Sequence, residues 1–519
     1  MQRDIAIIGG GIGGCLAALT AAKLGNKVVL TEETDWIGGQ LTSQAVPPDE
    51  HPWIEHFGCS KTYRQYRNRV RDYYKKNYPL KEAGLRNERL NPGNAWVSRL
   101  AHEPKIALTI LYEMLQPYLS NGRIELLLNH KPVRVEVDGD EVKKVVVQDF
   151  YTKQEKVIET AYFLDATELG DVLPLAGIEY VVGAESREDT GEPNALPETI
   201  PQDIQSITHV FALEYVEGGD FTIAKPDMYD FWRDYQAPFL SHMQLSEFIP
   251  QAHNGESKKM PFFTERDSLG MWEYRRIIDK TQFEDGFFDG DLSLINWPQN
   301  DYWLGSIIDV SDANKQKHLE EARQLSLSTL YWLQTEAPRP YGVKGYPGFK
   351  LRPDVVGTKD GLAMHPYIRE SRRIKAAHTV TEKDINADLR GQEGVRKLED
   401  SVGVGAYRID LHPTTEKNRL FYAKSYPFEI PLGSLVPVRV KNLIPACKNI
   451  GTTQLTNGCF RVHPVEWNIG EAAGALAAFS LKHHVKPQDV HKSKEMTKEL
   501  QDILIDLGVE IHWPEVHAF

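Results

Sequence analysis

The strongest constraint on the fold lies at the start of the chain. Ile5-Ala-Ile-Ile8 is a short aliphatic run, and Gly9-Gly10-Gly11-Ile12-Gly13-Gly14 follows at once, satisfying G-x-G-x-x-G. Cys15 to Leu24 is rich in alanine and leucine and predicts a helix ended by Gly25. Lys27-Val-Val-Leu-Thr31 predicts a second strand, closed by Glu32, 18 residues after Gly14. Strand, glycines, helix, strand and terminal acid in this order define the opening of a Rossmann-type dinucleotide-binding unit. Gly9 permits the tight turn, Gly11 lets the backbone approach a diphosphate, and Gly14 allows close packing of helix on strand; Gly13 completes the loop. The helix N-terminus offers unpaired N–H groups and partial positive charge to the diphosphate. Glu32 suits the ribose hydroxyls of an adenosine and would repel a 2′-phosphate.

The rest of the chain must house a substrate. At 519 residues it is too long for one core and predicts two domains, one inserted in the other. A net charge of −13 argues against nucleic acid or an anionic membrane as partner, because both need clustered positive charge. The four cysteines, Cys15, Cys59, Cys447 and Cys459, have neither disulfide-framework nor metal-ligand spacing, so no metal site is expected. The opening aliphatic run is too short for a signal-peptide core, and no apolar stretch is long enough to span a bilayer. A cytoplasmic location is the expectation.

Further motifs run along most of the chain. They include Gly38-Gly-Gln-Leu-Thr-Ser43, Asp165-Ala-Thr167 with Gly170-Asp171, and Val182-Gly-Ala-Glu-Ser186. Asn296-Trp-Pro-Gln-Asn-Asp-Tyr302, Tyr331-Trp-Leu-Gln-Thr-Glu336, Tyr367-Ile-Arg-Glu-Ser-Arg-Arg373, Asp400-Ser-Val-Gly-Val-Gly405 and Arg461-Val-His-Pro464 follow. With these motifs the chain resembles the FAD-dependent oxidoreductase family with a glutathione-reductase-type FAD-binding fold. The resemblance implies FAD as cofactor and an α/β fold: a discontinuous Rossmann-type FAD-binding domain with an inserted α+β substrate domain. It implies that the Gly38-Gly39 loop turns towards the cofactor and that the segment 121–165, with a hairpin at Asp138-Gly139, leads to the Asp165–Asp171 turn past its nucleotide end. It also implies that Asn442 to Arg461 and the helix carrying Gly470-Glu-Ala-Ala-Gly474 form the flavin segment. Beside Gly9, Gly11, Gly13, Gly14 and Glu32, the cofactor-binding residues expected are Gly39, Gln40, Val133, Ala166, Thr167, Asn449, Arg461, Val462 and His463. No second G-x-G-x-x-G and no Cys-x₄-Cys pair is present, so the substrate itself is expected to reduce the flavin, or a donor that borrows the same site.

The expected layout is a first FAD-binding part at 1–190 with a helical excursion near 57–120, an inserted domain at 191–399, a second FAD-binding part at 400–482 and a helical tail at 483–519. Within the excursion, Tyr63 to Lys76 and Ile106 to Leu119 read as helices, and in the tail Val490 to Leu507 reads as one amphipathic helix ended by Gly508. Trp297, Tyr302, Trp303 and Trp332, beside Asn296, Asn300, Asp301 and Glu336, suit a polar organic ligand or else fill a domain interface. On a helix Arg369 would share a face with Arg372 or Arg373, while Glu370 points elsewhere; Arg372 is a candidate catalytic residue, in an anion clamp or in a structural ion-pair network. Arg461 and His463 are the other two catalytic candidates, the arginine to favour anionic reduced flavin and the histidine to move a proton. His51, His56 and Cys59 could also reach the flavin. The function expected is hydride transfer between flavin and a small polar or anionic substrate. The alternatives are a flavin-dependent monooxygenase and a binding protein with structural FAD.

Overall fold

The aliphatic run at the N-terminus forms strand β1 (Ile5–Ile8), the middle of a five-stranded sheet. The computed structural model describes residues 3–251, 256–265 and 268–519. Its sheet also contains β2 (Val28–Glu32), β3 (Ile124–Leu128), β4 (Tyr162–Asp165) and β5 (Leu443–Pro445), in the order β5-β4-β1-β2-β3 with every pairing parallel. In register, Ile8 lies between Thr31 and Asp165, so the ends of β1, β2 and β4 form a common edge.

Why these strands read as unbroken apolar runs is clear from their two faces. Ile5, Ile7, Val28, Leu30, Leu164 and Ile444 enter one core, with helices α1 (Ile12–Lys23) and, beyond α2 (Gln454–Phe460), α3 (His463–His483). Ala6, Ile8, Val29, Phe163 and Leu443 enter a second core, capped by the antiparallel strands His130–Asp138, Glu141–Asp149 and Glu155–Ile158. A parallel sheet covered on both sides buries both side-chain sets, so no apolar–polar alternation survives. The hairpin turn lies at Gly139, with φ +57°. The two helices of the excursion are Lys61–Asn77 and Pro104–Ser120.

A separate core is built on an antiparallel sheet of Arg276–Ile278, Leu292–Ile295, Phe211–Tyr215 and Phe349–Leu351. The helix Asp312–Thr335, capped by Ser311, contributes Leu325, Leu330 and Leu333 to it. Trp297, Tyr302 and Trp332 are buried in this core, while Trp303 packs in a small cluster with Ala237 and Leu240.

Two local expectations are corrected. The arginine-rich segment is not helical: 368–372 has no regular structure and Arg373–Ile374 is a short strand. Its side chains therefore diverge to separate partners. The tail forms two helices, Pro487–Lys492 and Lys494–Asp506, because Ser493 breaks the first and caps the second by accepting from Met496 N–H. Among the described residues no helix is long and apolar enough to cross a membrane.

Candidate functional site

The glycine loop joins β1 to α1 with almost no free space. Gly9 adopts φ +104°, and a Cβ on it would stand 2.2 Å from the Ala166 carbonyl oxygen. A Cβ on Gly13 would lie 1.9 Å from the Ala446 carbonyl oxygen, and one on Gly14 1.9 Å from that of Gly9. α1 begins at an N-cap, Gly11, with no side-chain cap, so its first N–H groups stay available to a ligand. Gly38 N–H donates to the Gly10 carbonyl at 2.8 Å, which brings the Gly38-Gly39 loop against the cradle.

Glu32 ends β2 beside it. Its carboxylate accepts from Gly10 N–H at 3.0 Å, from Thr34 N–H at 2.9 Å and from the Thr34 hydroxyl at 2.7 Å. Burial, reinforced by Glu33, pushes the Glu32 carboxyl up to about 7, with the Thr34 hydrogen bonds opposing. Ala166 and Thr167 follow β4: Ala166 N–H donates to Ile8 at 2.7 Å, and Thr167 caps the Asp165 carboxylate through N–H and hydroxyl. The Asn449 amide donates to the Asp165 carbonyl at 3.0 Å, so Asn449 and Thr167 are anchored to the same residue. Val133 sits where the hairpin shifts register between Pro132 and Arg134, which leaves it outside the ladder. Next to it, a cavity of about 900 Å³ is lined by Glu33, Thr34, Lys131, Pro132, Asp171 and His365.

Between loop and turn lies a buried polar group that sequence reasoning missed. Lys448 is ion-paired with Glu168 and lies 3.9 Å from Glu466; the Gln40 amide donates to Glu466 and, at 2.9 Å, to the Arg461 carbonyl. The Cys447 thiol donates to Glu466 at 2.8 Å. Burial works against the Lys448 charge, and Cys447, Glu168 and Glu466 outweigh it. Gln40 Oε1, Gln44 Nε2, Glu168 Oε1 and Arg461 Nε are buried without a partner among the described residues. Buried orphan donors and acceptors are costly unless a ligand meets them. Together with the glycine cradle they fit FAD, whose ribityl hydroxyls and ring edge offer both kinds of partner. Glu168 and Lys448 stood inside or beside quoted motifs, but nothing in the spacing joined residues 280 apart.

Arg461 caps α2 and Val462 is the N-cap of α3, again without a side-chain cap. The Arg461 guanidinium donates to the Tyr367 hydroxyl at 2.8 Å and the Asp410 carbonyl at 3.2 Å, and among the described residues it forms no ion pair with a carboxylate. His463 is fully buried, accepting at Nδ1 from Asp49 N–H at 3.1 Å and donating from Nε2 to the Val46 carbonyl at 3.1 Å. Burial holds its imidazole down at about 4. Both ring nitrogens are thus committed to the 46–49 segment. Arg372 donates to Asp309 at 2.9 Å and Asp171 at 3.0 Å; Arg369 pairs with Asp301, and Arg373 with Glu185 and Glu370. The structure does not bring Arg372 to the 461–463 turn. His51 and Cys59 are buried, with His51 bonded to the Gly58 carbonyl and packed on Trp513, while His56 faces Arg89.

A cavity of about 440 Å³ adjoins the turn through Asp49 and Asp410, with Trp96, Tyr274, Trp303 and Tyr407 in its walls. Asp301 and His412 also line it. The Asp301 carboxylate is buried and accepts from His412 Nδ1 at 2.6 Å, Arg369 at 2.8 Å and the Thr208 hydroxyl at 2.5 Å.

A glycine cradle, an acid at the end of β2 and an uncapped helix N-terminus, with orphaned buried polar groups nearby, are the marks of a dinucleotide-binding enzyme. The chain belongs to the FAD dependent oxidoreductase family, whose model matches residues 4–504; it is an oxidoreductase and FAD is its cofactor. No curated protein matches it. Among solved structures it is similar to L-proline dehydrogenase from P. horikoshii at 16% identity, TM-score 0.18, over 36% of this chain and 24% of that one. It is similar to p-nitrophenol 4-monooxygenase from Pseudomonas putida DLL-E4 at 10% identity, TM-score 0.35, over 98% and 87%. A third is E. coli quinol fumarate reductase, at 12% identity, TM-score 0.33, over 98% and 74%. The chain thus spans about a quarter of the first of these three.

Proposed function

We propose that the chain moves hydride between a small polar organic substrate and FAD in the 440 Å³ cavity beside the 461–463 turn. The FAD-binding part is of the glutathione-reductase type, drawn from 1–190 and 400–482, and residues 191–399 close the substrate side. Gly9, Gly11, Gly13 and Gly14 hold the diphosphate, Glu32 the adenosine ribose, and Val133, Ala166 and Thr167 the nucleotide end. Gly39, Gln40, Asn449, Arg461, Val462 and His463 surround the flavin end. Bound there, FAD supplies the two-electron acceptor. Arg461, which has no carboxylate counterion among the described residues, would set a positive charge beside it, and His463 ties the 46–49 segment to the start of α3.

One observation carries the reading: Asp49 both lines the cavity and donates its N–H to His463, so the substrate space begins one residue from the flavin turn. Arg369, Arg372 and Arg373 are all consumed by carboxylates, which supports a polar substrate over one needing an anion clamp. Anaerobic mixing of the holoprotein with a metabolite panel tests it. A small polar compound should bleach the flavin absorption band without NAD(P)H; bleaching by NAD(P)H alone would overturn the reading in favour of a monooxygenase.

A further inference from the structure

Two residues of the 440 Å³ cavity, 111 positions apart in sequence, meet in an arrangement built for proton transfer. Asp301 is 1% exposed and held by three donors, so its orientation is fixed. Burial alone would raise its carboxyl, and Arg369 and His412 hold it well below the usual range. An ionised Asp301 receives the Nδ1–H of His412, which leaves Nε2 as the imidazole's acceptor. The nearest carboxylate to Nε2, Asp410, is 3.7 Å away and is not hydrogen-bonded to it, and the His412 side chain is 27% exposed. The nitrogen is therefore open to a ligand in the cavity.

We infer that Asp301 and His412 are the proton-accepting pair of this site, and that its substrate is a neutral hydroxylated compound of the sugar or sugar-alcohol class. The inference rests on the cavity being the hydride-transfer site. Chemistry selects the class. An alcohol gives up hydride only as its O–H proton departs, so it needs a positioned base. A neutral amine releases hydride with help from its own lone pair and needs none. Around the cavity Arg275 is paired with Asp49 at 3.0 Å and Arg369 with Asp301, while Arg408 in the wall is exposed and lies over the Tyr422 and Phe519 rings. Trp96, Tyr274, Trp303 and Tyr407 line the cavity, and aromatic walls of this kind suit the C–H faces of such a molecule. Gln299 spends its amide N–H groups on the Ser246 and Phe248 carbonyls, and its buried Oε1, on a cavity-lining residue, has no donor among the described residues. In the reaction the substrate C–H and O–H bonds break and the carbon–oxygen bond becomes a carbonyl. The hydrogen and two electrons leave as hydride to FAD, the oxidant, and the hydroxyl proton goes to His412 Nε2, its charge shared with Asp301.

The test is rapid anaerobic mixing of holoprotein with three matched panels: free sugars, sugar alcohols and glycosides; primary and secondary amines; and carboxylates without hydroxyl groups. Members of the first panel should bleach the flavin. Bleaching only by amines or carboxylates overturns the substrate class alone, and bleaching by no panel overturns the hydride-transfer reading of the cavity with it. With the active sugar, His412→Gln and Asp301→Asn should retain flavin and its visible spectrum yet reduce it about 10²–10⁴-fold more slowly. The sugar-induced rise in melting temperature should persist in His412→Gln, and added imidazole should speed reduction in His412→Ala. Asp301 is tied to Arg369, so its variant is the less tolerant and His412→Gln decides. A wild-type rate in His412→Gln would overturn the pair.

Discussion

Gly470 of α3 lies directly on the backbone of Gly13 in α1: a Cβ added to Gly470 would stand 2.3 Å from the Gly13 carbonyl oxygen. One turn on, a Cβ at Gly474 would meet the Ala17 carbonyl oxygen at 2.4 Å. The crossing locks α3 to the helix that follows the glycine loop. Backbone cannot yield as a side-chain end can, so Gly470→Ala should cost about 1–3 kcal/mol or more. The expected result is a clearly lower melting temperature with weaker flavin retention; an unchanged melt would show that the two helices separate at little cost.

Glu32 holds Gly10 and Thr34 in the structure, and its carboxylate is the group proposed to hold the adenosine ribose. Glu32→Ala should weaken FAD binding by about 1.5–3 kcal/mol, the range for hydrogen bonds to a charged group. Flavin content after dialysis measures this, and retention equal to wild type would remove Glu32 from the role.

Arg461 and His463 should separate cleanly. Arg461 has a buried charge with no carboxylate counterion among the described residues, so Arg461→Ala should lower the flavin midpoint potential by about 20–40 mV, or about 1–2 kcal/mol for a two-electron couple. A redox titration reads it, and an unchanged potential would mean the charge acts elsewhere. His463→Ala strands Asp49 N–H and the Val46 carbonyl, each worth about 1–3 kcal/mol when buried. Lower stability and looser flavin are expected; full flavin retention with slow reduction alone would instead mark His463 as the proton carrier.

Much of the nucleotide unit was legible because it is local. β1, the glycine loop, α1, β2, the hairpin at Gly139 and the two excursion helices each follow from residues within one short window. Ser493 divides the tail helix for a local reason, whereas the arginine segment is not helical because each guanidinium is drawn to a different carboxylate far away in sequence. What was missed is long-range. The Glu168–Lys448–Glu466 group and the Asp301–His412 pair are assembled by the fold, with Lys448 just beyond β5 and Asp301 beyond the strand Leu292–Ile295. No periodicity or spacing encodes such pairings.

His365 pairs with Glu33, its Nε2 3.2 Å from the carboxylate. Burial lowers its pKa, but Glu33 outweighs burial and raises it from 6.5 to about 9. A histidine raised on folding stabilises fully below its unfolded value and loses that contribution as pH rises through the folded one. His365→Gln should therefore melt lower than wild type at about pH 6, with the gap closing as pH approaches and passes about 9. A gap that stays constant across that window would show that the ion pair contributes nothing.

The most direct test of the whole account is the nucleotide that heat releases from purified protein expressed with ample flavin. Chromatography should show FAD at one molecule per chain, and Gly13→Val, whose side chain would enter the Ala446 carbonyl, should abolish it. Release of FMN, of NAD or of no nucleotide from the wild-type chain would contradict the account.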